Sequence, residues 1–263
     1  MRVKDITEAN RRAWNAVAPV HREKQGEALA SQFSVPGSSC LDAVELEHLR
    51  RIGIEGKRIA QLCCNNGREL ISFTNLGAAS AVGFDISEAV LEEAERLTTV
   101  AGVSCRFVRC DAYDVPDEYN AGFDLVYVSV GALGWMPDVA RFFQVAARLL
   151  AAGGWLFLYE MHPILDMYDP HSETPTVPAD SYFRTEPYVE AAGLDYVGGS
   201  DHEGPPQYWF HHSMASILNG VISAGLQLDS VHEFAHDVSG LYAAIAESPR
   251  KPPMSYILTA RKQ

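Results

Sequence analysis

Hydrophobic residues recur with two different spacings along the chain, and the change between them divides the sequence. In the first part, apolar positions such as Trp14 and Val17 recur three to four residues apart, which predicts a helix over 6–20. A second helix is predicted after Ser39 on the same grounds. From residue 57 onward, short apolar runs alternate with longer periodic segments. This alternation is typical of βα units built around a parallel sheet.

Five strands and three helices are predicted in the first part of that alternation. Ser87 is the predicted N-cap of the second helix, and the pair Gly153 and Gly154 is predicted to close the third. The predicted strands cover 58–62, 81–84, 105–109, 123–128 and 155–160, and the helices lie near 68–76, 88–100 and 139–150.

The alternation breaks between residues 161 and 211. This stretch holds seven of the 14 prolines and eight of the 26 aromatic residues, three of them in a run at 208–210. So many aromatic rings argue against a disordered linker and predict a folded lid. The alternation then resumes with a helix over 213–224 and strands over 228–235 and 255–261. The last two strands predict an antiparallel hairpin at the edge of the sheet.

We therefore predict four regions along the chain. Residues 1–56 form an N-terminal helical cap, and residues 57–160 form a Rossmann-like core that binds a cofactor. Residues 161–211 form a substrate lid inserted between the fifth strand and the following helix. Residues 212–263 complete the core sheet.

Composition and charge narrow the class of partner. The chain has 21 Lys and Arg against 34 Asp and Glu, a net charge of −13, so a nucleic-acid backbone would be repelled. No apolar run approaches the roughly 18 residues that span a membrane, and no secretory signal follows Met1. The five cysteines are odd in number and include no CxxC pair. We expect a cytoplasmic protein with reduced cysteines, no metal site and no membrane partner.

Polar and small residues follow the ends of four predicted strands. The first strand runs into the loop CCNNGRE, which begins at Cys63. Asp85 ends the second strand, 22 residues later, at the distance expected for a carboxylate that binds a ribose. Asp111 follows the third strand, where a short polar side chain can contact an adenine edge. Ser129 begins a small-residue stretch after the fourth strand.

In these motifs the sequence resembles the class I S-adenosylmethionine-dependent methyltransferases. The resemblance covers roughly residues 14–261, except for the lid, which we cannot align. It is carried by the loop after the first strand, by the acidic end of the second strand in GFDIS, by the pair at 111–112, and by LLAAGGWL at 149–156, which is similar to the family's LLKPGGxL turn. The segment WNAVAPVH, from Trp14, resembles a helix that covers the cofactor in many members.

The resemblance implies an α/β, Rossmann-like, doubly wound sheet of seven strands, mostly parallel, with the last strand antiparallel. It also implies that S-adenosyl-L-methionine lies across the first strands. The implied cofactor-binding residues are Trp14, Gln61, Cys63, Asn65, Gly67, Asp85, Ile86, Asp111, Ala112 and Ser129.

The loop departs from the family pattern at three positions. Gln61 stands where the family has an acidic residue, and Cys63 and Asn65 stand where it has glycines, so only Gly67 remains of the three. Asparagine tolerates a left-handed backbone better than most residues, which predicts that the turn is kept.

The implied reaction is methyl transfer to a nitrogen or oxygen atom of a small organic metabolite, achieved mainly by alignment of the reactants. Glu160 and His162 follow the fifth strand, where the acceptor is expected, and His162 is the candidate catalytic residue. Two alternatives stay open at this point. One is a protein of the same fold that binds a nucleoside metabolite without turnover. The other is an NAD-dependent oxidoreductase. The oligomeric state is also open, a homodimer included.

Overall fold

The architecture was obtained as a computed structural model, which describes residues 1–190 and 204–263. A seven-stranded sheet lies at its centre, flanked by helices on both faces. The strands are β1 (Arg58–Leu62), β2 (Ser80–Asp85), β3 (Arg106–Arg109), β4 (Phe123–Val128), β5 (Leu150–Met161), β8 (Leu226–Phe234) and β9 (Ser255–Lys262), with β6 (Tyr188–Glu190) and β7 (Gln207–Trp209) forming a separate pair. The helices are α1 (Val3–Phe33), α2 (Ala43–Ile52), α3 (Arg68–Asn75), α4 (Glu88–Ala101), α5 (Val139–Leu149), α6 (Met214–Ser223) and α7 (Ala243–Ala246).

The strand order is β3-β2-β1-β4-β5-β9-β8. β1 pairs in parallel with β2 on one side and with β4 on the other. Successive strands are therefore added on one side of β1 up to β3 and on its other side from β4 onward. Open α/β sheets bind ligands at the point where the strand order changes direction, which here lies between β1 and β4. β9 lies between β5 and β8 and is antiparallel to both. This confirms the predicted doubly wound sheet with an antiparallel last strand.

The sheet is buried on both faces, as expected for a parallel sheet covered by helices. Alternate residues of β4 enter opposite layers, with Val126 packing in one apolar cluster and Leu125 in the other. Four of the described helices begin at short polar caps. Each cap side chain accepts a hydrogen bond from the backbone N–H three residues later, and the caps are Asp42, Ser87, Asp138 and Ser213. The predicted cap at Ser87 is thus confirmed.

The N-terminal helix is much longer than predicted. The apolar stripe ends near residue 20, but α1 continues through Pro19 to Phe33. The second half packs against α4, where Arg22 lies 3.4 Å from Glu93 and the Phe33 side chain is buried with Leu97. Contacts with another helix, which no local pattern reveals, therefore hold this polar stretch in helical form.

The glycine pair does not close α5, contrary to the prediction. α5 ends at Leu149, and both glycines lie inside β5, at a point where its register with β4 shifts. Gly153 has a φ of +76°, which explains why glycine is needed there. The pair therefore forms an irregularity of the strand rather than a helix end.

Residues 161–211, called the insertion below, leave the sheet after β5. Its described parts contain a 3-10 turn (Pro163–Met167) and the antiparallel pair of β6 and β7. Residues 191–203 of the predicted lid lie outside the described residues. Within the described ranges, no helix combines the length and the apolar character needed to cross a membrane.

Candidate active site

The loop after β1 has a left-handed backbone at three alternating positions. φ is +57° at Cys63, +47° at Asn65 and +71° at Gly67. Glycine adopts such angles without steric cost, and asparagine tolerates them better than most residues. These are the positions at which the predicted motif has glycines. The loop thus keeps the left-handed backbone conformation expected of the glycine motif, although Cys63 and Asn65 replace two of its glycines.

Gly67 brings β1 and α3 close to β3. A Cβ atom added at this glycine would lie 2.7 Å from the ring of Phe107 and 3.1 Å from Ala94. Together with the positive φ, this leaves room for hydrogen alone. The turn therefore depends on glycine at this position more than at the two others.

Asp85, at the end of β2, fixes the loop. One carboxylate oxygen accepts a hydrogen bond from the backbone N–H of Asn65 at 2.9 Å, and the other accepts from Ser87 at 3.0 Å. Burial raises the pKa of Asp85, and the backbone hydrogen bonds oppose that rise. The half-buried carboxylate is thus held against the loop, and each oxygen can still accept a second hydrogen bond.

Asp111 lies at the end of β3, beside a cavity of about 440 Å³. Its carboxylate accepts from the hydroxyl of Thr7 at 2.6 Å and from the backbone N–H of Tyr113 at 3.0 Å. Ile86 and Asp111 line the cavity together with charged side chains of α1, and Ala112, the residue after Asp111, is buried. The volume is within the usual range for a small-molecule site.

Gln61 is fully buried at the end of β1 and links two neighbouring elements. Its amide group donates to the carboxylate of Glu69 at 3.4 Å and to the hydroxyl of Ser129 at 3.2 Å. Its side-chain oxygen Oε1 is buried and has no hydrogen-bond partner among the described residues. Since buried polar atoms are rarely left unpaired, this oxygen is a candidate acceptor for a ligand.

Carboxylates surround the middle of the site. Burial raises the pKa of Cys63 well above its ordinary value, and the charges of Asp85, Asp111 and Glu160 raise it further. Cys63 therefore stays protonated and carries no thiolate chemistry. An environment rich in carboxylates favours a cationic ligand.

Trp14 belongs to a chain of three tryptophans that connects α1, the residues after β4 and the insertion. The rings of Trp14 and Trp135 meet edge to face at 5.5 Å, and those of Trp135 and Trp209 at 5.1 Å. The backbone N–H of Phe210 donates to the carbonyl of Gly134 at 2.7 Å. Trp14 thus takes part in an aromatic cover over the ends of the strands.

A side chain of α1 also binds the backbone of β7. The amide of Asn10 donates to the carbonyl of Tyr208 at 3.0 Å, and its oxygen accepts from the N–H of Tyr208 at 2.8 Å. Asn10 therefore satisfies both backbone groups of one strand residue, as a neighbouring strand would. The helix and the insertion are joined by this pair of bonds.

His162 does not join the residues of the loop. Its Nδ1 accepts from the backbone N–H of Ile164 at 3.2 Å, and its Nε2 lies 3.0 Å from the carboxylate of Glu233 on β8. Burial lowers the pKa of His162, while Glu233 opposes that effect. These contacts use both ring nitrogens within the protein, and a role in proton transfer stays a prediction.

Glu160 holds together the ends of β4 and β5. Its carboxylate accepts from the backbone N–H groups of Gly131 at 2.6 Å, of Met161 at 2.9 Å and of Leu133 at 3.3 Å. Burial raises its pKa to about 7 despite these bonds. This side chain shapes the loop after β4, next to Ser129.

Sequence reasoning missed Thr7 and Asn10, which lie in the predicted helical cap. Their partners are 104 and 198 positions away along the chain. No local pattern marks them, because each is an ordinary polar residue on the stripe of α1 that faces the sheet.

Comparison with known proteins agrees with this geometry. Residues 59–154 match the family described as a methyltransferase domain. A protein of Haemophilus influenzae named only as uncharacterized is 25% identical over 218 residues, which cover 80% of this chain and 82% of that protein. A ubiquinone biosynthesis O-methyltransferase of Pseudomonas savastanoi is 28% identical over 107 residues, which cover 41% of this chain and 45% of the relative. This last match thus spans about half the length of the relative.

Solved structures share the fold. The S-adenosylmethionine-dependent methyltransferase of Mesorhizobium loti has a TM-score of 0.57 at 23% identity, and the match covers 84% of this chain and 98% of that one. The family match includes the loop after β1, the end of β2 and the whole of α5. Residues 59–154 of the chain thus match a methyltransferase domain, and its seven-stranded sheet has the fold of solved S-adenosylmethionine-dependent methyltransferases.

Proposed function

We propose that the chain methylates an oxygen or nitrogen atom of a small organic metabolite. The observation that carries this proposal is the position of Asp85, whose carboxylate binds the left-handed loop and keeps free acceptor capacity beside it. A ribose needs such a carboxylate at the end of β2.

The site has the chemistry that S-adenosylmethionine requires. The unpaired Oε1 of Gln61 can accept a hydrogen bond from the amino group of the cofactor. We assign Cys63, Asn65 and Gly67 to its amino-acid tail, Asp85 and Ile86 to the ribose, and Asp111 and Ala112 to the adenine. Ser129 and Trp14 complete the site at the end of β4 and on the α1 side. The carboxylates around Cys63 suit its positive charges.

When bound, S-adenosylmethionine supplies an electrophilic methyl group. The protein then has to place an acceptor atom in line with that group, and such alignment can contribute on the order of 7–11 kcal/mol. We assign to the tryptophan chain from Trp14 to Trp209 the role of keeping water from the acceptor, because its rings pack edge to face over the segment after β4. Glu160 keeps the loop after β4 in one conformation through its three backbone contacts.

The insertion supports a small acceptor rather than a macromolecule. Its aromatic residues cover the segment that follows β4, where Trp209 packs against Trp135 and the N–H of Phe210 donates to Gly134. Such a cover favours a small acceptor over a partner bound at an open surface. The net charge of −13 opposes binding to nucleic acid. All five cysteines are free thiols, which supports a cytoplasmic location.

Calorimetry with S-adenosylmethionine and with its demethylated product tests the proposal first. Binding of both to the purified, folded chain is expected, and no binding would refute it. The second step uses methyl-labelled S-adenosylmethionine and an extract of small metabolites. A labelled O-methyl or N-methyl product is expected. Binding without any labelled product would favour a protein that binds the cofactor without turnover, and a thermal shift with NADH alone would favour an oxidoreductase.

A further inference from the structure

A histidine and a carboxylate form a pair inside the insertion, apart from the residues assigned to the cofactor. Nδ1 of His211 lies 2.9 Å from the carboxylate of Asp166, and the side chain of His211 is 2% exposed. The indole N–H of Trp209 lies 3.4 Å from the other oxygen of Asp166, and the hydroxyl of Tyr188 donates to its backbone carbonyl at 2.8 Å. Asp166 is therefore fixed, and it holds the proton of His211 on Nδ1.

The other ring nitrogen of His211 is unusual. Nε2 is buried and has no hydrogen-bond partner among the described residues. The two nearby histidines differ from it in this respect. His162 uses both nitrogens, and Nε2 of His212 lies 2.7 Å from the backbone carbonyl of Met136. A buried nitrogen with a free lone pair, oriented by a carboxylate, has the form of a general base that lacks only its substrate.

The surroundings of His211 connect it to the carboxyl ends of β4 and β5. Its ring lies 5.1 Å from that of Tyr182. Tyr256 lies directly opposite Glu160 in the ladder of β5 and β9. Its hydroxyl oxygen is also buried and has no hydrogen-bond partner within residues 1–190 and 204–263. Burial raises the pKa of Tyr256 well above its ordinary value, and the charges of Glu160, Tyr182 and Asp166 raise it further. Two unpaired polar atoms thus share the same neighbours.

The kind of acceptor follows from the need for a base. A neutral amine already carries a nucleophilic lone pair and can lose its proton to water after the transfer. A hydroxyl group is a weak nucleophile until its proton is removed, so a positioned base accelerates its reaction. The rings of Tyr182 and Trp209 contact His211 and Asp166, and the ring of Trp135 packs against Trp209. Aromatic faces and edges pack well against another planar ring.

We infer that His211 is the general base of the reaction, that Asp166 positions it, and that the acceptor is a hydroxyl group on a small aromatic compound. This inference rests on the proposed function. As the acceptor oxygen bonds to the methyl carbon, the carbon–sulfur electron pair returns to sulfur. The hydroxyl proton passes to Nε2 of His211. The resulting imidazolium is stabilised by the carboxylate of Asp166 and loses its proton to water after product release.

A chromogenic phenol tests the base without relying on turnover. The probe is 4-nitrophenol, whose phenolate absorbs visible light and whose neutral form does not. It is added to the chain loaded with S-adenosylhomocysteine, in buffer below the pKa of the free phenol. We expect phenolate absorbance from the bound probe, because the proton passes to His211.

Three variants give this test its specificity. His211→Ala is expected to abolish the phenolate signal, and Asp166→Asn, which keeps the size of the side chain, to reduce it. His212→Gln is the matched control, since this neighbouring ring already lies against a backbone carbonyl, and its signal is expected to equal that of the wild type. Asp166→Asn also keeps the test decisive if His211→Ala does not fold, as judged by circular dichroism.

The outcomes separate this inference from the proposed function. Binding of S-adenosylhomocysteine is measured first by calorimetry, and its failure refutes the proposed function. The 4-nitrophenol experiment with the same variants is then repeated on the chain without S-adenosylhomocysteine. Its result tests the roles of His211 and Asp166 independently of cofactor binding. A probe that does not bind, that binds as the neutral phenol, or that ionises equally with His211→Ala would overturn the inference. With a hydroxyl acceptor in hand, His211→Ala should lower the turnover rate by about 10²- to 10⁴-fold.

Discussion

The substitution Asp85→Asn separates the two roles that the structure gives to this carboxylate. Asp85 accepts hydrogen bonds from the backbone N–H groups of Asn65 and Ser87 at 2.9 and 3.0 Å. An asparagine keeps one acceptor oxygen and turns its amide N–H groups toward the second backbone N–H. One buried amide then loses its partner, at a cost of about 1–3 kcal/mol in the free energy of unfolding.

The same substitution should weaken binding of S-adenosylhomocysteine. Hydrogen bonds from the ribose to a charged group contribute about 1.5–3 kcal/mol each, so loss of the charge at one of them raises the Kd by at least about tenfold. Urea denaturation of the unliganded chain measures the first effect, and calorimetry measures the second. The 2′,3′-dideoxy analogue gives an internal check, because Asp85→Asn should change its Kd little.

Asp124→Asn is the matched control for this experiment. Asp124 lies near the opposite end of β4 and also accepts from a backbone N–H, that of Arg58, at 2.9 Å. It should therefore lower stability without changing the Kd for S-adenosylhomocysteine. If Asp85→Asn destabilises the fold but leaves that Kd within about twofold of the wild type, Asp85 does not bind the ribose and the reasoning fails.

Three further predictions concern the core and the cover of the site. Gly134→Ala places a Cβ atom 2.2 Å from the ring of Trp209. The overpacking should lower the free energy of unfolding by about 1–3 kcal/mol, measured by urea denaturation. An unchanged urea midpoint would contradict this contact. Gly67→Ala should cost about 2–5 kcal/mol from positive-φ strain and overpacking together, and a stable variant in the same assay would argue against the left-handed turn. Glu45 accepts a hydrogen bond from the hydroxyl of Tyr127, and burial raises the pKa of Glu45 to about 8. The folded chain therefore keeps a proton on Glu45 that the unfolded chain releases from about pH 4.5 upward. Wild-type stability should therefore fall between about pH 4.5 and 8, by up to about 5 kcal/mol from this group, whereas Glu45→Gln should flatten the fall; parallel pH curves from urea titrations would refute it.

The parts of the fold that the sequence predicts are those set by local pattern. β1 and β4 have the predicted bounds because each is a short apolar run buried on both faces. The helix cap at Ser87 depends on a contact three residues away and is equally visible. Asp85 is found for the same reason, since the end of a parallel strand fixes where its side chain lies.

The parts that the sequence does not predict depend on contacts across long stretches of chain. The second half of α1 is polar and is held as a helix by α4. The pairing of His211 with Asp166 joins residues 45 positions apart in the insertion. Two adjacent histidines give no sign of which one keeps a ring nitrogen without a partner among the described residues. Gly153 gave a misleading signal, because a glycine that ends a helix and one that kinks a strand look alike in sequence.

The double hydrogen bond between Asn10 and Tyr208 has a consequence for the catalytic cycle. Neither bond can be exchanged for another by rotating one side chain, because both belong to a single amide. One substitution at Asn10 therefore removes both of these hydrogen bonds between α1 and β7. We expect Asn10→Ala to speed dissociation of S-adenosylhomocysteine in a stopped-flow assay and to leave the single-turnover rate of methyl transfer unchanged.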